Sequence, residues 1–251
     1  MPAPPARSSL YVYALTDPAT AGHARRCPAV GDQGASVTVL VQDDLAAVVS
    51  PAAERPRARR RDLRAHQDVL NALLAHGPVL PMRFGMIAAD EEAVRADMSA
   101  RRAQNLSALA RVAGRAEWNV KGESVPEALP ELLREDAGLR ALRASTRQRP
   151  GYEADVRLGQ AIAAALQRRA EAAARDVVAH LDALAVDVRV GGAVAGGALN
   201  SSFLVAQSDE APFRRAVQAL AERHRGRIAL TVTGPLPCYS FVGGDAVPAG
   251  Q

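Results

Sequence analysis

Residues 36–50, SVTVLVQDDLAAVVS, place two apolar, β-branched runs on either side of the short polar segment at 42–44. This pattern predicts a β-hairpin with strands at 36–41 and 45–50. Residues 8–15, SSLYVYAL, are rich in aromatic and β-branched types and predict an earlier strand. After the hairpin, apolar residues recur at helical spacing over 62–76 and are followed by Gly77 and Pro78, which predicts a helix that ends there.

The next segments extend the same domain. Residues 78–87, PVLPMRFGMI, are apolar but interrupted by Pro81, so we expect an edge strand or a bent strand. Acidic residues at 90–92 begin a helix that we expect to end near residue 113, and AEWNVKG at 116–122 predicts a further strand. This order is typical of an α+β domain whose sheet is covered by two helices. We therefore expect residues 1–122 to form a modified ferredoxin-like domain.

The second half predicts a smaller α+β domain. Residues 123–150 contain three prolines and many charges, and we expect a linker with a short helix at about 131–143. Apolar residues at intervals of three or four positions indicate a long helix over 152–184. Strands at 186–190, 200–207 and 227–234 and a helix at 210–224 complete the domain that we expect at 151–251, which ends in an extended tail.

Composition limits the class of protein. The chain has 251 residues, of which 48% are hydrophobic and 23% charged, and these values exclude wholesale disorder. No apolar run approaches the roughly 20 residues that cross a bilayer, so we expect no membrane partner. The opening residues lack the apolar core of a signal peptide, and Cys27 and Cys238 are the only cysteines. We therefore expect a cytoplasmic protein without a disulfide framework.

The charge balance leaves nucleic-acid binding as a third and weaker alternative. The chain has 31 basic and 27 acidic residues and a net charge of +4. Its one dense basic run contains arginines at 55, 57, 59, 60, 61 and 64. Such runs usually form solvated faces, and no aromatic residue lies within this one to stack on bases. We interpret the run as a solvated entry to the helix that follows.

No local motif supports catalysis or cofactor binding. The glycine-rich stretch at 191–197 leads into a predicted strand, whereas a dinucleotide site needs a helix at that point. The five histidines lack metal-ligand spacing, the cysteines form no CxxC pair, and no GxSxG nucleophile motif is present. We therefore expect that the protein is not an enzyme and that it binds no cofactor. An enzyme or small-ligand binder on a ferredoxin-like sheet remains the competing hypothesis, because fold does not fix function.

Two short segments are unusual enough to be candidate partner contacts. Met82-Arg83-Phe84 follows a proline, and Glu117-Trp118 precedes Lys121, the only lysine in the chain. Trp118 is also the only tryptophan. Its side chain is interpreted either as a strand residue that completes the core or as a hot spot for a partner. Arg83 fits a structural ion pair as well as recognition.

Six segments together resemble the GvpL/GvpF family of gas vesicle proteins. They occur in the family's order and span nearly the whole chain, and they read YVYAL (11–15), HQDVL (66–70), VLPMRFG (79–85), EWNVK (117–121), LNSSFLV (199–205) and TGPLPCYSFV (233–242). The tail segment departs from the family pattern, since Leu236 and Cys238 stand where the family usually has Trp and Pro.

The resemblance implies a fold, a function and partners. It implies two α+β domains and a non-enzymatic accessory protein that acts in gas vesicle assembly or nucleation. It further implies binding to the small hydrophobic shell protein GvpA and to other accessory proteins, with the chain associated with the vesicle. An accessory protein with this role would cover the apolar surface of a shell subunit or pair with the edge of one of its strands. The candidate contact residues are Arg83, Phe84, Trp118, Lys121 and Tyr239.

Overall fold

β1 (Leu10–Thr16) is a central strand of the first sheet in the computed structural model, which describes residues 9–31, 34–52, 58–192 and 197–242. β2 (Thr38–Gln42) and β3 (Leu45–Pro51) form the antiparallel hairpin that the sequence predicts, joined by a two-residue turn. Asp43 in this turn has a φ of 51°, as tight hairpin turns require. β3 also pairs antiparallel with β1, so the order across the sheet begins β2-β3-β1.

Two short strands occupy the other side of β1. β4 (Val79–Pro81) pairs with the end of β1, and β5 (Ile87–Ala88) pairs with its beginning. Pro81 is the last residue of β4, which lies at the edge of the sheet, where a missing backbone N–H costs little. The bent edge strand predicted for 78–87 is confirmed as two pieces separated by a turn.

The helices that pack with this sheet are α1 (Pro18–Ala21), α2 (Arg60–Leu74), α3 (Glu91–Ala100) and α4 (Arg102–Val112). The apolar face of α2 packs against β1 and β3, and its residues Val69, Leu70 and Leu73 are fully buried. The Asp90 carboxylate begins α3 by accepting a 2.8 Å hydrogen bond from the Ala93 N–H. The single helix predicted for 90–113 is interrupted at Arg101, whose φ of −108° and ψ of 17° lie outside the helical region.

A second antiparallel sheet follows, with the strand order β7-β8-β6-β9. Its elements and the end of the chain are, in sequence order, β6 (Arg115–Ser124), α5 (Leu129–Glu135), α6 (Ala137–Gln148), α7 (Tyr152–Asp182), β7 (Asp187–Val190), β8 (Gly197–Ala206), α8 (Glu210–Arg223), β9 (Ile228–Leu236) and α9 (Tyr239–Val242). Side chains from α7 and α8 bury one face of this sheet, around Phe203 and Phe213. The α+β class, the long helix and the strands of the second half are confirmed.

The chain divides into two compact units at positions that differ from the expected domain boundaries. The first unit contains Met1–Glu117 and Pro235–Gln251, and the second contains Trp118–Gly234. The strand predicted at 116–122 forms, but it joins the second sheet because its hydrogen-bonding neighbours are β8 and β9. Residues 123–150 are helical rather than a linker, since α5 and α6 share a buried core with α7. The tail includes a short helix, α9, and it belongs to the first unit.

The basic run at 55–64 and the glycine-rich stretch at 191–197 lie partly outside the described residues. Arg55 and Arg57 of the basic run lie there, and Arg59, Arg60, Arg61 and Arg64 are exposed, as a solvated helix entry requires. Positions 193–196 of the glycine-rich stretch also lie outside the described part. None of the helices in the described ranges combines the length and the hydropathy that a membrane span needs.

Gly122 fixes how closely the strands of the second sheet approach. A Cβ built on Gly122 would lie 2.4 Å from Ile228 Cδ1 and 3.1 Å from Leu199 Cβ, closer than real side chains tolerate. Ile228 belongs to β9 and Leu199 to β8, so the missing side chain leaves room for residues of both neighbouring strands. Any larger residue at position 122 must displace one of them.

Replacing Gly122 with alanine should therefore destabilise the second unit by about 1–3 kcal/mol, the usual cost of overpacking a core. The Gly159→Ala variant is the matched control, because Gly159 lies within α7 and its added Cβ would have no atom of the described residues within 4 Å. It should stabilise the helix by up to about 1 kcal/mol. Urea denaturation followed by circular dichroism measures both changes, and equal shifts for the two variants would contradict the packing role.

Candidate functional site

The candidate site lies in the first unit and is organised around His66, on the buried face of α2. His66 Nδ1 lies 2.9 Å from the hydroxyl oxygen of Tyr11, and His66 Nε2 lies 3.2 Å from the hydroxyl oxygen of Tyr239. Both ring nitrogens are therefore hydrogen-bonded, one to a residue of β1 and one to a residue of α9. A neutral imidazole fits this arrangement, because it offers one donor and one acceptor.

A tight turn at 83–86 closes one side of the site. The Met86 N–H donates to the Arg83 carbonyl at 3.2 Å, and Gly85 has a φ of 90°, which favours glycine at this point of the turn. The Gly85 N–H also donates to the Tyr11 hydroxyl at 3.1 Å. Phe84 packs edge-on against Tyr11 and His66, with ring centroids 5.9 and 5.8 Å apart. We call Tyr11, His66, Phe84 and Tyr239 the His66 cluster.

The tail is anchored beside this cluster by a buried carboxylate. Glu117 accepts hydrogen bonds from the Ser240 N–H at 2.8 Å and from the Ser240 hydroxyl at 2.7 Å, although Glu117 itself is only 5% exposed. Cys238 and Phe241 on either side of these contacts are buried. A buried carboxylate needs such donors, so the end of the chain satisfies a polar group that would otherwise destabilise the first unit.

Burial sets the protonation states of the cluster. It raises the pKa of Tyr11 and of Tyr239 to about 12, so both phenols keep their protons. Burial lowers the pKa of His66, and a hydrogen bond with the Met82 backbone offsets this only in part. Burial also raises the pKa of Cys238 to about 12, which keeps its thiol protonated and favours a packing role. Cys27 and Cys238 are both free.

Three of the five candidate contact residues come together in the first unit. Arg83 is exposed in the turn, and Phe84 is half-buried behind it. Tyr239 is 37% exposed, so it binds His66 with its hydroxyl while part of its ring reaches the surface. Residues 83–87, which we call the turn segment, also expose Met86 and Ile87 to 37% and 39%.

The other two candidates, Trp118 and Lys121, lie on β6 in the second unit. Trp118 is 3% exposed and packs 6.2 Å from Phe213, with the guanidinium of Arg214 over its ring at 5.9 Å. Its ring completes the core and is not available at the surface, so the packing interpretation replaces direct contact. Lys121 is exposed and stays a candidate.

Asn119 connects two segments of the family resemblance in space. Its amide nitrogen lies 3.2 Å from Asn200 Oδ1, 3.3 Å from the Ser201 carbonyl and 3.2 Å from Ser202 Oγ. The EWNVK and LNSSFLV segments are therefore neighbouring strands, β6 and β8, joined by side-chain hydrogen bonds as well as by the sheet.

The reasoning from sequence missed Tyr11, His66, Glu117 and Ser240 as members of the site. In the sequence, His66 is one of several residues on the apolar face of a predicted helix. Glu117 stands out only as the neighbour of Trp118. Each of the four residues lies in a different one of the six family segments, and the sequence does not show which of these segments meet. Among the described residues, no three histidine, cysteine or acidic side chains come together in a way that could hold a metal ion.

Comparison with known proteins identifies the family. The family model described as gas vesicle synthesis protein GvpL/GvpF matches residues 9–243. Gas vesicle protein F of Streptomyces sp. (strain CB03234) is 39% identical over 93% of this chain and 99% of its own length. Gas vesicle protein L of the same strain is 29% identical over 93% of this chain and 92% of its own length.

A solved structure shares the fold. The crystal structure of the gas vesicle protein GvpF from Anabaena sp. PCC7120 matches with a TM-score of 0.77 at 24% identity, over 95% of this chain and all of that one. The chain belongs to the GvpL/GvpF family, and its role is that of a gas vesicle accessory protein.

The buried, neutral His66 predicts a loss of stability in acid. The unfolded chain takes up a proton on this residue near pH 6.5, whereas the folded chain does so only at lower pH, so unfolding binds a proton in between. The free energy of unfolding should therefore fall as the pH decreases below about 6.5, and the His66→Gln variant should show a shallower fall.

Urea titrations between pH 7.5 and 5 measure this slope. The Gln67→Ala variant changes the adjacent helix position without removing a titratable group, and it should keep the slope of the unmodified chain. A His66→Gln slope equal to that of the unmodified chain would show that His66 is not the group responsible.

Proposed function

We propose that this chain takes part in gas vesicle assembly or nucleation by binding the shell protein GvpA and other accessory proteins, and that it does so in the cytoplasm. Membership of the GvpL/GvpF family supports the role, and curated relatives carry the names gas vesicle protein F and gas vesicle protein L. We further propose that the protein is not an enzyme and acts through its surfaces.

The turn segment is the observation that carries the binding proposal. Within five residues it exposes one guanidinium, at Arg83, and two apolar side chains, at Met86 and Ile87. Full burial of an Ile or Met side chain contributes about 1.5–3 kcal/mol, so covering the exposed part of both would favour binding an apolar partner. The guanidinium of Arg83 adds a positive charge and hydrogen-bond donors, which set the orientation of the bound partner.

The His66 cluster gives this segment a rigid base. Phe84 and Gly85 are held by Tyr11 and His66, and the segment is pinned at its ends by backbone hydrogen bonds from Met82 N to Tyr13 O and from Val12 N to Met86 O. A preformed surface loses little conformational entropy on binding. In this proposal Arg83, Met86 and Ile87 contact the partner, while Phe84 and Tyr239 position them.

Lys121 is a second proposed contact, on β6 of the other unit. The competing hypotheses are an enzyme or small-ligand binder on this scaffold, and nucleic-acid binding through the basic run at 55–64. An enzyme or small-ligand binder would require a polar pocket, and substitutions in that pocket would change the turnover or the ligand affinity. A nucleic-acid binder would require an affinity for nucleic acid that falls steeply with salt concentration.

Co-purification of the tagged chain with co-expressed shell protein tests the proposal. The Arg83→Gln/Met86→Gln/Ile87→Thr variant should retain several-fold less shell protein than the unmodified chain at moderate salt, because it loses the apolar area and the charge together. The Val41→Thr variant is the control, since Val41 is 47% exposed on β2 of the same sheet and should leave retention unchanged.

Thermal unfolding of each variant confirms that the fold is intact. Equal retention by the triple variant and the unmodified chain would overturn the turn segment as the contact. Absence of retention by the unmodified chain, with other accessory proteins retained instead, would overturn the shell protein as the direct partner.

A further inference from the structure

Helix α6 presents an unusually basic face. It carries three arginines, Arg140, Arg143 and Arg147, and no acidic residue within Ala137–Gln148. Their spacing of three and four residues places all three on one side of the helix, over about 10 Å of its length. Like charges at this spacing destabilise an isolated helix, so the arrangement costs free energy unless an anion offsets it.

The arginine face borders a groove between α5 and α6. The groove has a volume of about 440 Å³, and Arg134 of α5 lines it together with the three arginines of α6. Its remaining lining is apolar, formed by Pro130, Leu133 and Ala144. Among the described residues, no carboxylate lines the groove, so four positive charges surround an apolar floor.

The arginines are not all engaged within the chain. Arg140 donates to the Leu133 carbonyl at 3.1 Å and to the Arg134 carbonyl, so it caps the end of α5 and holds one wall of the groove. Arg134 donates to the Pro130 carbonyl at 3.4 Å. Within the described ranges, Arg143 and Arg147 have neither an ion pair nor a hydrogen-bond partner, and both are exposed. Two guanidiniums are therefore available to an incoming ligand.

We propose that this groove, which we call the arginine groove, binds an acidic amphipathic helix of another protein. Carboxylates four residues apart would pair with Arg143 and Arg147, and a third carboxylate three residues before them would lie beside the positive charge of Arg140. Guanidinium pairs with carboxylates are among the strongest charge-assisted contacts. Apolar side chains of the same helix would lie on Leu133 and Ala144. The surface belongs to the second unit and is independent of the turn segment proposed for the shell protein.

The lining favours a protein ligand over a nucleic acid. Four phosphate contacts over this short span would lose most of their affinity at physiological salt, and no aromatic ring among the described lining residues could stack on a base. The apolar floor is instead suited to aliphatic side chains, which a nucleic-acid backbone does not supply. An acidic amphipathic helix would contact both the arginines and the apolar floor of the groove.

Fluorescence anisotropy with three labelled probes tests the assignment. The first is a helical peptide with glutamates at positions i, i+3 and i+7 and leucines on the adjacent stripe, the second has the same composition in scrambled order, and the third is a 20-nucleotide single-stranded DNA. The full chain should bind the ordered peptide at least tenfold more tightly than the scrambled one in 150 mM salt.

Variants locate the binding. Arg143→Gln/Arg147→Gln should weaken ordered-peptide binding at least tenfold, whereas Arg157→Gln/Arg168→Gln, which removes the same charge from exposed positions of α7, should change it less than twofold. Equal binding of the two peptides, or equal effects of the two double variants, would overturn the proposal. Tighter binding of the DNA, lost in Arg143→Gln/Arg147→Gln, would reassign the groove to nucleic acid.

Discussion

The hydrogen bonds of a single buried side chain tie the beginning of the sequence to its end. His66 is hydrogen-bonded through one ring nitrogen to Tyr11 of β1 and through the other to Tyr239 of α9. Glu117 adds a second tie, because its buried carboxylate accepts both donors of Ser240. Buried polar groups of this kind cost free energy when a partner is missing. The buried polar groups of the first unit are therefore satisfied only when residues 235–242 pack against it.

This constraint links the fold to the proposed function. The turn at 83–86 is shaped by Gly85, held by Tyr11 and packed through Phe84 against His66, so the exposed side chains of the turn segment depend on the same contacts. Membership of the GvpL/GvpF family places the chain among gas vesicle accessory proteins. Burial raises the pKa of Tyr11, Tyr239 and Cys238 to about 12, so these side chains stay protonated and neutral where they pack.

Local pattern was enough to predict most elements, but not which elements meet. The β2–β3 hairpin and α7 were predictable because their pairing or periodicity is contained in neighbouring residues. The strand at 116–122 was also predicted, yet its sheet was assigned wrongly, since its partners β8 and β9 lie about 80 and 110 residues later. The return of the tail depends on Glu117 and His66, and no periodicity marks these contacts. Trp118 shows the same limit, because rarity in the sequence does not distinguish a core ring from an exposed one.

Hydrogen–deuterium exchange tests the central role of the returning tail most directly. The Tyr239→Phe/Ser240→Ala variant removes the hydroxyl groups that bind His66 and Glu117, a loss of about 1–3 kcal/mol for two buried hydrogen bonds. Amides of α2 and β1 should then exchange roughly tenfold or more faster, while those of α7 in the second unit keep their rates. Unchanged exchange in α2 and β1, or an equal increase in α7, would contradict the account.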